Sequence, residues 1–354
     1  MESKLFDKIR KNERLTYDDA NYLFNSTNIH FLSLIGGLKK EHISGNEVYY
    51  TINYNINPSN ICVLECKFCA YSKRANENGG YIKTINQIME EVQSAHERLG
   101  VHEFHIVGAL NRNTNLQYYE KLFKEIKSIS SSIHIHGLTA VELDFIRKLE
   151  KCDIETVIGR LKDAGLNTVA GGGAEIFSPE VRKILCKDKI TGEEWLNIHR
   201  TLHSCGLKSN ATMLYGHIEN YGHRVEHLLK IRALQDETNG FNCFVPLKFH
   251  SKNTPFTNIR APTSIEDLKV IAVSRVVLDN IPHLRVLWTY LGEKVASVAL
   301  NFGADDFHGT NYNETIVHSA GASTGNSLDP ESIVRIIKKS KKTPILTNSG
   351  YSHR

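Results

Sequence analysis

"TINQIMEEVQSAHERLGVHEFHIVG" occupies residues 84–108, and its reading decides the fold. Ile85, Ile88, Met89, Val92, Ala95 and Leu99 recur at helical spacing, so the first part is a helix with one apolar face. Gly100 comes next, where the left-handed turn that ends a helix is easily made by glycine. Residues 101–108 then read as a strand. The same joint of helix, glycine and strand recurs at "DAGLN" (163–167) and "SCGLK" (204–208).

Outward from that unit the rhythm continues. Strands are predicted over "YYTINYNIN" (49–57), "IHIHG" (133–137), "LNTVAGGG" (166–173), "LKSNATMLYG" (207–216), "FNCFVPLKFH" (241–250), "HLRVLWTYLG" (283–292) and "ADDFHGT" (304–310). Helices are predicted between them, over 116–129, 153–165, 191–206, 222–240, 263–280 and 292–303. A last helix over 329–340 has Asp329 as its cap and Pro330 in its first turn. Eight alternations predict an all-parallel sheet, and eight is the number that closes a (β/α)8 TIM-type barrel. An open doubly wound sheet is the runner-up, but no G-x-G-x-x-G follows the first strand. Residues 46–354 are expected to form one barrel domain with a C-terminal helix. Residues 1–45 read as a short helical extension packed on it, containing "LFDKIRKN" (5–12) and "TYDDANYLFN" (16–25), the latter capped by Thr16.

The 354 residues carry a net charge of +4, with acids and bases nearly balanced, so neither nucleic acid nor a membrane surface is expected as a partner. The basic run "KKSKK" (338–342) reads as a solvated helix end. The N-terminal residues are charged throughout and lack the apolar core of a signal peptide, and no stretch is apolar enough to span a bilayer. An odd number of cysteines, seven, argues against a disulfide framework and for a reducing cytoplasm.

Three of those cysteines cluster. In "ICVLECKFCAYSKR" (61–74), Cys62, Cys66 and Cys69 fall in a C-x3-C-x2-C spacing directly after the first predicted strand. In a barrel that loop lies at the C-terminal face, where chemistry sits. Three thiolates suit three corners of a [4Fe–4S] cluster whose fourth iron has no protein ligand. Zinc also accepts soft thiolates, but it takes four ligands and no second pair is present. Other polar residues close predicted strands at the same face. Gly108 and Ala109 end the second strand, Glu142 follows the third, and Gly172 and Glu175 follow the fourth. His134 and His136 share one strand face. His223 and His227 are four apart on a polar helix and read as a surface face rather than a metal pair.

The cysteine spacing, with Phe68 before its last member and Tyr71 after, resembles the radical S-adenosylmethionine superfamily. "NPSNICVLECKFCAYSKR", "IHGLTAVEL", "GGGAEIFSPEVRKILCKDKITGEEWLNIHRTLHSCG", "NATMLYGHIE", "LQDETNGFNCFVPLKFHSKNTPF" and "LNFGADDFHGT" together resemble the aminofutalosine synthases of the futalosine route to menaquinone. The resemblance runs from about residue 46 to about residue 325. It implies a [4Fe–4S] cluster on Cys62, Cys66 and Cys69, and S-adenosylmethionine as a substrate. Phe68, Tyr71, Gly108, Ala109, Glu142, Gly172 and Glu175 would lie around it. The methionine amino group would meet the Gly108–Ala109 strand end, and the ribose a carboxylate. It implies addition of the adenosyl group to 3-[(1-carboxyvinyl)oxy]benzoate, and a flavodoxin or ferredoxin as electron donor. Asn210, Thr212, His217, His250, Asn253 and Thr254 are candidate partners for the substrate carboxylates, with Arg260 a weaker one. Tyr54 and Tyr215 are candidate neighbours of its ring. Ala170 and Ala109 depart from the family's usual proline and glycine there. Two alternatives remain open: the sister dehypoxanthine futalosine cyclase, and a non-catalytic iron–sulfur or zinc protein.

Overall fold

The computed structural model describes residues 1–352. Strands β1 (Glu47–Thr51) and β2 (Asn53–Ile56) are two halves of one strand broken at Ile52. They are followed by β3 (Glu103–Ile106), β4 (His134–Thr139), β5 (Thr168–Ala170), β6 (Lys208–Tyr215), β7 (Phe241–Lys248), β8 (His283–Leu284), β9 (Asp306–Gly309) and β10 (Thr343–Leu346).

From β2 to β8 the strands lie side by side in chain order, every pair parallel. Short helical crossovers of one hand give that order. A parallel bridge between Arg285 and Asp306 joins β8 to β9, and β9 pairs with β1. Counting β1 and β2 once, eight strands therefore form a ring, as the alternation predicts. All four residues of β3 are buried, as are seven of the eight in β6, because helices cover the outside and side chains fill the inside.

The opening unit folds as read. The helix Ile85–Leu99 is capped by Thr84 and Gln87 in a reciprocal pair, and Gly100 ends it at φ 65°. Residues 1–45 form three helices, the third being Ile29–Ser44. Arg14 anchors the segment to the outer helices through Asp236 (2.6 Å) and Asp279 (3.0 Å).

Three differences from expectation bear on the two mouths of the ring. The seventh strand ends at Leu284, and Trp288–Leu291 is a short helix. The indole of the fully buried Trp288 donates to the Gly309 carbonyl at 2.8 Å, and an apolar run alone does not separate buried strand from buried helix. A helix, Ala140–Glu150, begins where an open strand end is expected, with Thr139 and Glu142 as its capping box. After the last helix, β10 pairs with β1, and residues 347–352 turn beneath the ring. There the Ser349 amide and hydroxyl each donate to Glu103 at 2.6 Å, Asn242 donates to the Ser349 carbonyl at 3.1 Å, and the Tyr351 ring stacks 3.7 Å from His283. Glu103 and His283 are first residues of their strands, and Asn242 is the second of β7, so this segment plugs the N-terminal mouth.

Candidate active site

The opposite mouth opens on a cavity of about 350 Å³. Cys62, Cys66 and Cys69 all border it, with no disulfide among them. Their loop is pinned to its surroundings by backbone bonds. Cys62 donates to the Lys73 carbonyl at 3.0 Å, Val63 to Leu110 at 3.0 Å and Lys67 to Leu185 at 2.8 Å. Tyr71 also borders the cavity, and its hydroxyl lies 2.6 Å from that of Tyr81. Among the described residues no three ligating groups are drawn into a closed metal cage. Three thiols share a cavity wall instead. Burial pushes the Cys66 thiol up to about 12, so the thiolate needs the cation it would ligate. A soft donor set with an open side fits a cluster that keeps one iron free for a ligand.

The strand-end groups converge on the same space. Glu142 borders the cavity and accepts from the Gly108 amide (2.9 Å), the Thr139 amide (2.8 Å) and the Thr139 hydroxyl (2.8 Å). Burial pushes its carboxyl up to about 7. The Ala109 amide donates to the Ser59 carbonyl at 2.9 Å. Both amides of the Gly108–Ala109 pair are thus engaged within the protein, and what remains for an amino group is carbonyl oxygen. A Cβ on Gly171 would lie 2.5 Å from the Asn210 carbonyl oxygen. Gly173 has φ 92°, and a Cβ there would lie 2.3 Å from Val141. The glycine run is therefore required by chain packing as much as by any ligand.

Glu175 borders a second cavity that adjoins the first, with His250, Lys248 and Tyr290. The Lys189 ammonium lies 2.7 Å from its carboxylate and 4.9 Å from the centre of the Phe68 ring. Burial opposes the Lys189 charge, but the Glu175 carboxylate holds it above its ordinary value. Nothing in the local sequence marks Lys189, which reaches the site from the loop after the helix Pro179–Leu185.

Of the residues expected to meet substrate, Asn210 and Thr212 border the first cavity, and Thr212 donates to the Gly171 carbonyl at 2.7 Å. His250 borders the second and donates from Nε2 to the Tyr290 carbonyl at 3.1 Å. Five others border neither cavity. Tyr54 faces outward, against Lys83 and Glu91 at the flanking helix and the turn before it, because alternation along β2 turns its neighbour Asn55 inward. Tyr215 is buried outside the ring and donates to Asp267 at 2.9 Å. His217 folds back on its own turn, its Nε2 donating to Leu214 at 3.0 Å. Asn253 donates to the Ser319 carbonyl at 2.7 Å, and Thr254 to Ser251 at 2.9 Å. The exposed Arg260 likewise borders neither. His227 is not on a surface face: it is fully buried, stacked 3.9 Å from Phe177, with Nε2 donating to the Thr212 carbonyl at 2.8 Å. Only His223 of that pair stays near solvent, 2.7 Å from Glu180. Asn55, His105, His136, Arg285 and His308 border the first cavity without having been singled out as substrate partners. Period-two alternation along each strand is the signal that marks them.

Comparison with known proteins agrees with this geometry. Residues 56–231 match the radical SAM superfamily, and residues 238–354 match the CofH/MqnC C-terminal region. The chain is 33% identical to the aminodeoxyfutalosine synthase of Thermus thermophilus, over 98% of this chain and 94% of that one. It is 34% identical to the same-named enzyme of Streptomyces coelicolor, over 99% and 93%. It is also 39% identical to the 5-amino-6-(D-ribitylamino)uracil–L-tyrosine 4-hydroxyphenyl transferase of Methanococcus aeolicus, over 91% and 89%. Among solved structures, methylornithine synthase (PylB) superposes with a TM-score of 0.77 at 19% identity, over 96% of this chain and 97% of that one. The hydrogenase maturase HydG of Carboxydothermus hydrogenoformans superposes at 0.78 and 18% identity, over 98% and 79%. These two show the fold.

Proposed function

The chain belongs to the radical SAM superfamily, in the branch that carries the CofH/MqnC C-terminal region, and on that premise we propose that it is an aminodeoxyfutalosine synthase. As a member of that superfamily it uses a [4Fe–4S] cluster and S-adenosylmethionine. In this reading Cys62, Cys66 and Cys69 hold the cluster. When bound, the cluster supplies the electron that splits the bond between sulfur and C5′ of S-adenosylmethionine. Carbonyl oxygens at Gly108–Ala109 receive the methionine amino group. Phe68, Tyr71, Glu142, Gly172 and Glu175 surround the nucleoside. Val107, Val141, Val245, Leu247, Leu287 and Ile316 give the cavity its apolar wall, which excludes water from a strongly oxidising centre.

The adenosyl group adds through C5′ to the vinyl carbon of 3-[(1-carboxyvinyl)oxy]benzoate, and a carbon–carbon bond forms. The radical adduct rearranges through the aryl ring and loses one carboxyl group as carbon dioxide or bicarbonate, giving back the single electron that opened the reaction, so the overall conversion is redox-neutral. The products are 6-amino-6-deoxyfutalosine and methionine. Holding both substrates in one cavity supplies much of the rate. The electron comes from a flavodoxin or ferredoxin, and the reaction belongs to menaquinone synthesis in the cytoplasm.

The observation that carries this reading is similarity to two aminodeoxyfutalosine synthases across 98% and 99% of the chain. The 39% identity to a hydroxyphenyl transferase favours a second reading, in which the 4-hydroxyphenyl group of L-tyrosine is transferred to 5-amino-6-(D-ribitylamino)uracil. An anaerobic turnover assay separates the two. Holoenzyme with reductant and S-adenosylmethionine receives either the enolpyruvyl benzoate or tyrosine with the ribitylaminouracil. A product that carries the intact adenosyl group in the first arm supports the synthase. Consumption of tyrosine in the second arm, with the first arm silent, refutes it.

A further inference from the structure

Below the cysteine loop the cavity has a polar floor that the chemistry above does not use. Asn210 of β6, Arg285 just past β8 and His308 of β9 all border the cavity, and each is at least nine-tenths buried. Arg285 donates from Nε to Asp306 at 2.9 Å, but its Nη2 has no partner among the described residues. Nδ1 of His308 has none either, nor has Oδ1 of Asn210, whose amide nitrogen lies 3.5 Å from His136. A buried polar atom left without a partner is costly, and three around one cavity invite a ligand that completes them.

Two further facts point the same way. His308 sits at φ 70°, a strained conformation for a residue with a side chain, which holds its ring at this place. Asp306 is already committed, accepting from Arg285, from the Tyr351 hydroxyl and from the His308 amide (2.6 Å). One face of the guanidinium is thus fixed and the other nitrogen is left available. His105 and His136 complete the floor, their rings 4.8 Å apart, and His105 is tied to Glu103 at 2.5 Å. Asn210, His105 and His136 are each the third residue of their strands, which places them toward the N-terminal mouth.

We propose that Arg285, His308 and Asn210 form a carboxylate-binding subsite that seats one carboxylate of the aryl substrate at the bottom of the cavity, with the rest of the molecule rising toward the cysteine loop. The guanidinium nitrogen and the imidazole N–H donate to the carboxylate, and the Asn210 amide turns its nitrogen toward it. The subsite rests on the reading that the second substrate is a carboxylate-bearing aryl ether.

Binding of benzoate and of benzamide to holoenzyme tests it without turnover. Wild type is expected to bind benzoate at least ten-fold more tightly than benzamide. In Asn210→Asp and Arg285→Lys that ratio collapses toward one, and KM for the enolpyruvyl benzoate rises at least ten-fold. KM for S-adenosylmethionine and iron per chain stay unchanged. An undiminished ratio in the variants, or no preference in wild type, overturns the subsite. Arg285 supports Asp306, so Arg285→Lys is scored only with a wild-type melting temperature; Asn210→Asp is isosteric, leaves the Arg285–Asp306 pair intact and decides alone if the other unfolds. Wild-type turnover of the enolpyruvyl benzoate judges the synthase reading separately, since the benzoate preference does not depend on it.

Discussion

Lys189 and Glu175 form a buried ion pair, 2.7 Å apart, that closes over Phe68 between two of the three clustered cysteines. It ties the turn after β5 to the cysteine loop. Removing one partner leaves an uncompensated buried charge, which costs about 3–5 kcal/mol. Lys189→Met and Glu175→Gln are each expected to lower the urea midpoint substantially. Lys189→Met combined with Glu175→Gln is expected to lose less than the sum of the two single losses. Additive losses in that cycle contradict the pair.

The ligand assignment is tested by iron content. Cys62→Ala, Cys66→Ala and Cys69→Ala each leave two thiols on the cavity wall. Each is expected to lose most of its iron and sulfide after anaerobic reconstitution. Cys152→Ala, whose residue borders neither cavity, is expected to retain both. Iron retained at wild-type level in any of the three clustered variants removes that cysteine from the set.

Glu142 makes stability depend on pH. Its carboxyl is pushed by burial from an ordinary 4.5 to about 7. Between those values the folded protein binds a proton that the unfolded chain has released, so stability falls as pH rises through that window. Urea midpoints of the apoprotein at pH 5 and pH 7.5 are expected to differ less in Glu142→Gln than in wild type. An equal difference in both shows that Glu142 does not carry the effect.

Glu219 acts in the opposite sense. Burial works against its charge, but the His217 ring and the Arg224 guanidinium hold its carboxyl down at about 2. Its contribution is complete above the ordinary 4.5 and is lost as pH falls toward 2. Glu219→Gln is expected to be destabilised at pH 7 and to lose less than wild type between pH 4.5 and 3.

The plug under the barrel is also testable. Ser349 supplies two of the hydrogen bonds to the fully buried Glu103. Ser349→Ala removes one of them, at a cost of about 1.5–3 kcal/mol for a bond to a charged group. Ending the chain at Leu346 removes both and opens the N-terminal mouth, and is expected to lower the melting temperature further than Ser349→Ala. An unchanged melting temperature in the shortened chain contradicts the plug.

The ring of strands was legible because its signal is local. Helical spacing from Ile85 to Leu99, then Gly100, then a strand, states one unit, and repetition states the barrel. The cysteine spacing was equally plain. Side-chain direction was not, because one residue of register decides it. Asn55 faces the cavity and Tyr54 does not, although both lie on β2. His217 follows a strand, as a substrate partner would, yet its ring is consumed by Leu214 in its own turn. Lys189 and Arg285 gain their meaning only from partners brought together by folding, Glu175 and Asp306, and neither is marked by its neighbours in sequence. The T-x-x-E signature of Thr139 and Glu142 was present, and it states a helix start that strand-end reasoning passes over.

The fate of C5′ is the most direct test of the whole account. S-adenosylmethionine carrying carbon-13 at that position is supplied to anaerobic holoenzyme with reductant and 3-[(1-carboxyvinyl)oxy]benzoate, and the products are read by mass spectrometry and carbon NMR. The account predicts that the labelled carbon appears in the aryl product, bonded to a carbon that came from the vinyl group, with methionine released in equal amount. Label recovered only in free 5′-deoxyadenosine, with the enolpyruvyl benzoate unchanged, contradicts it.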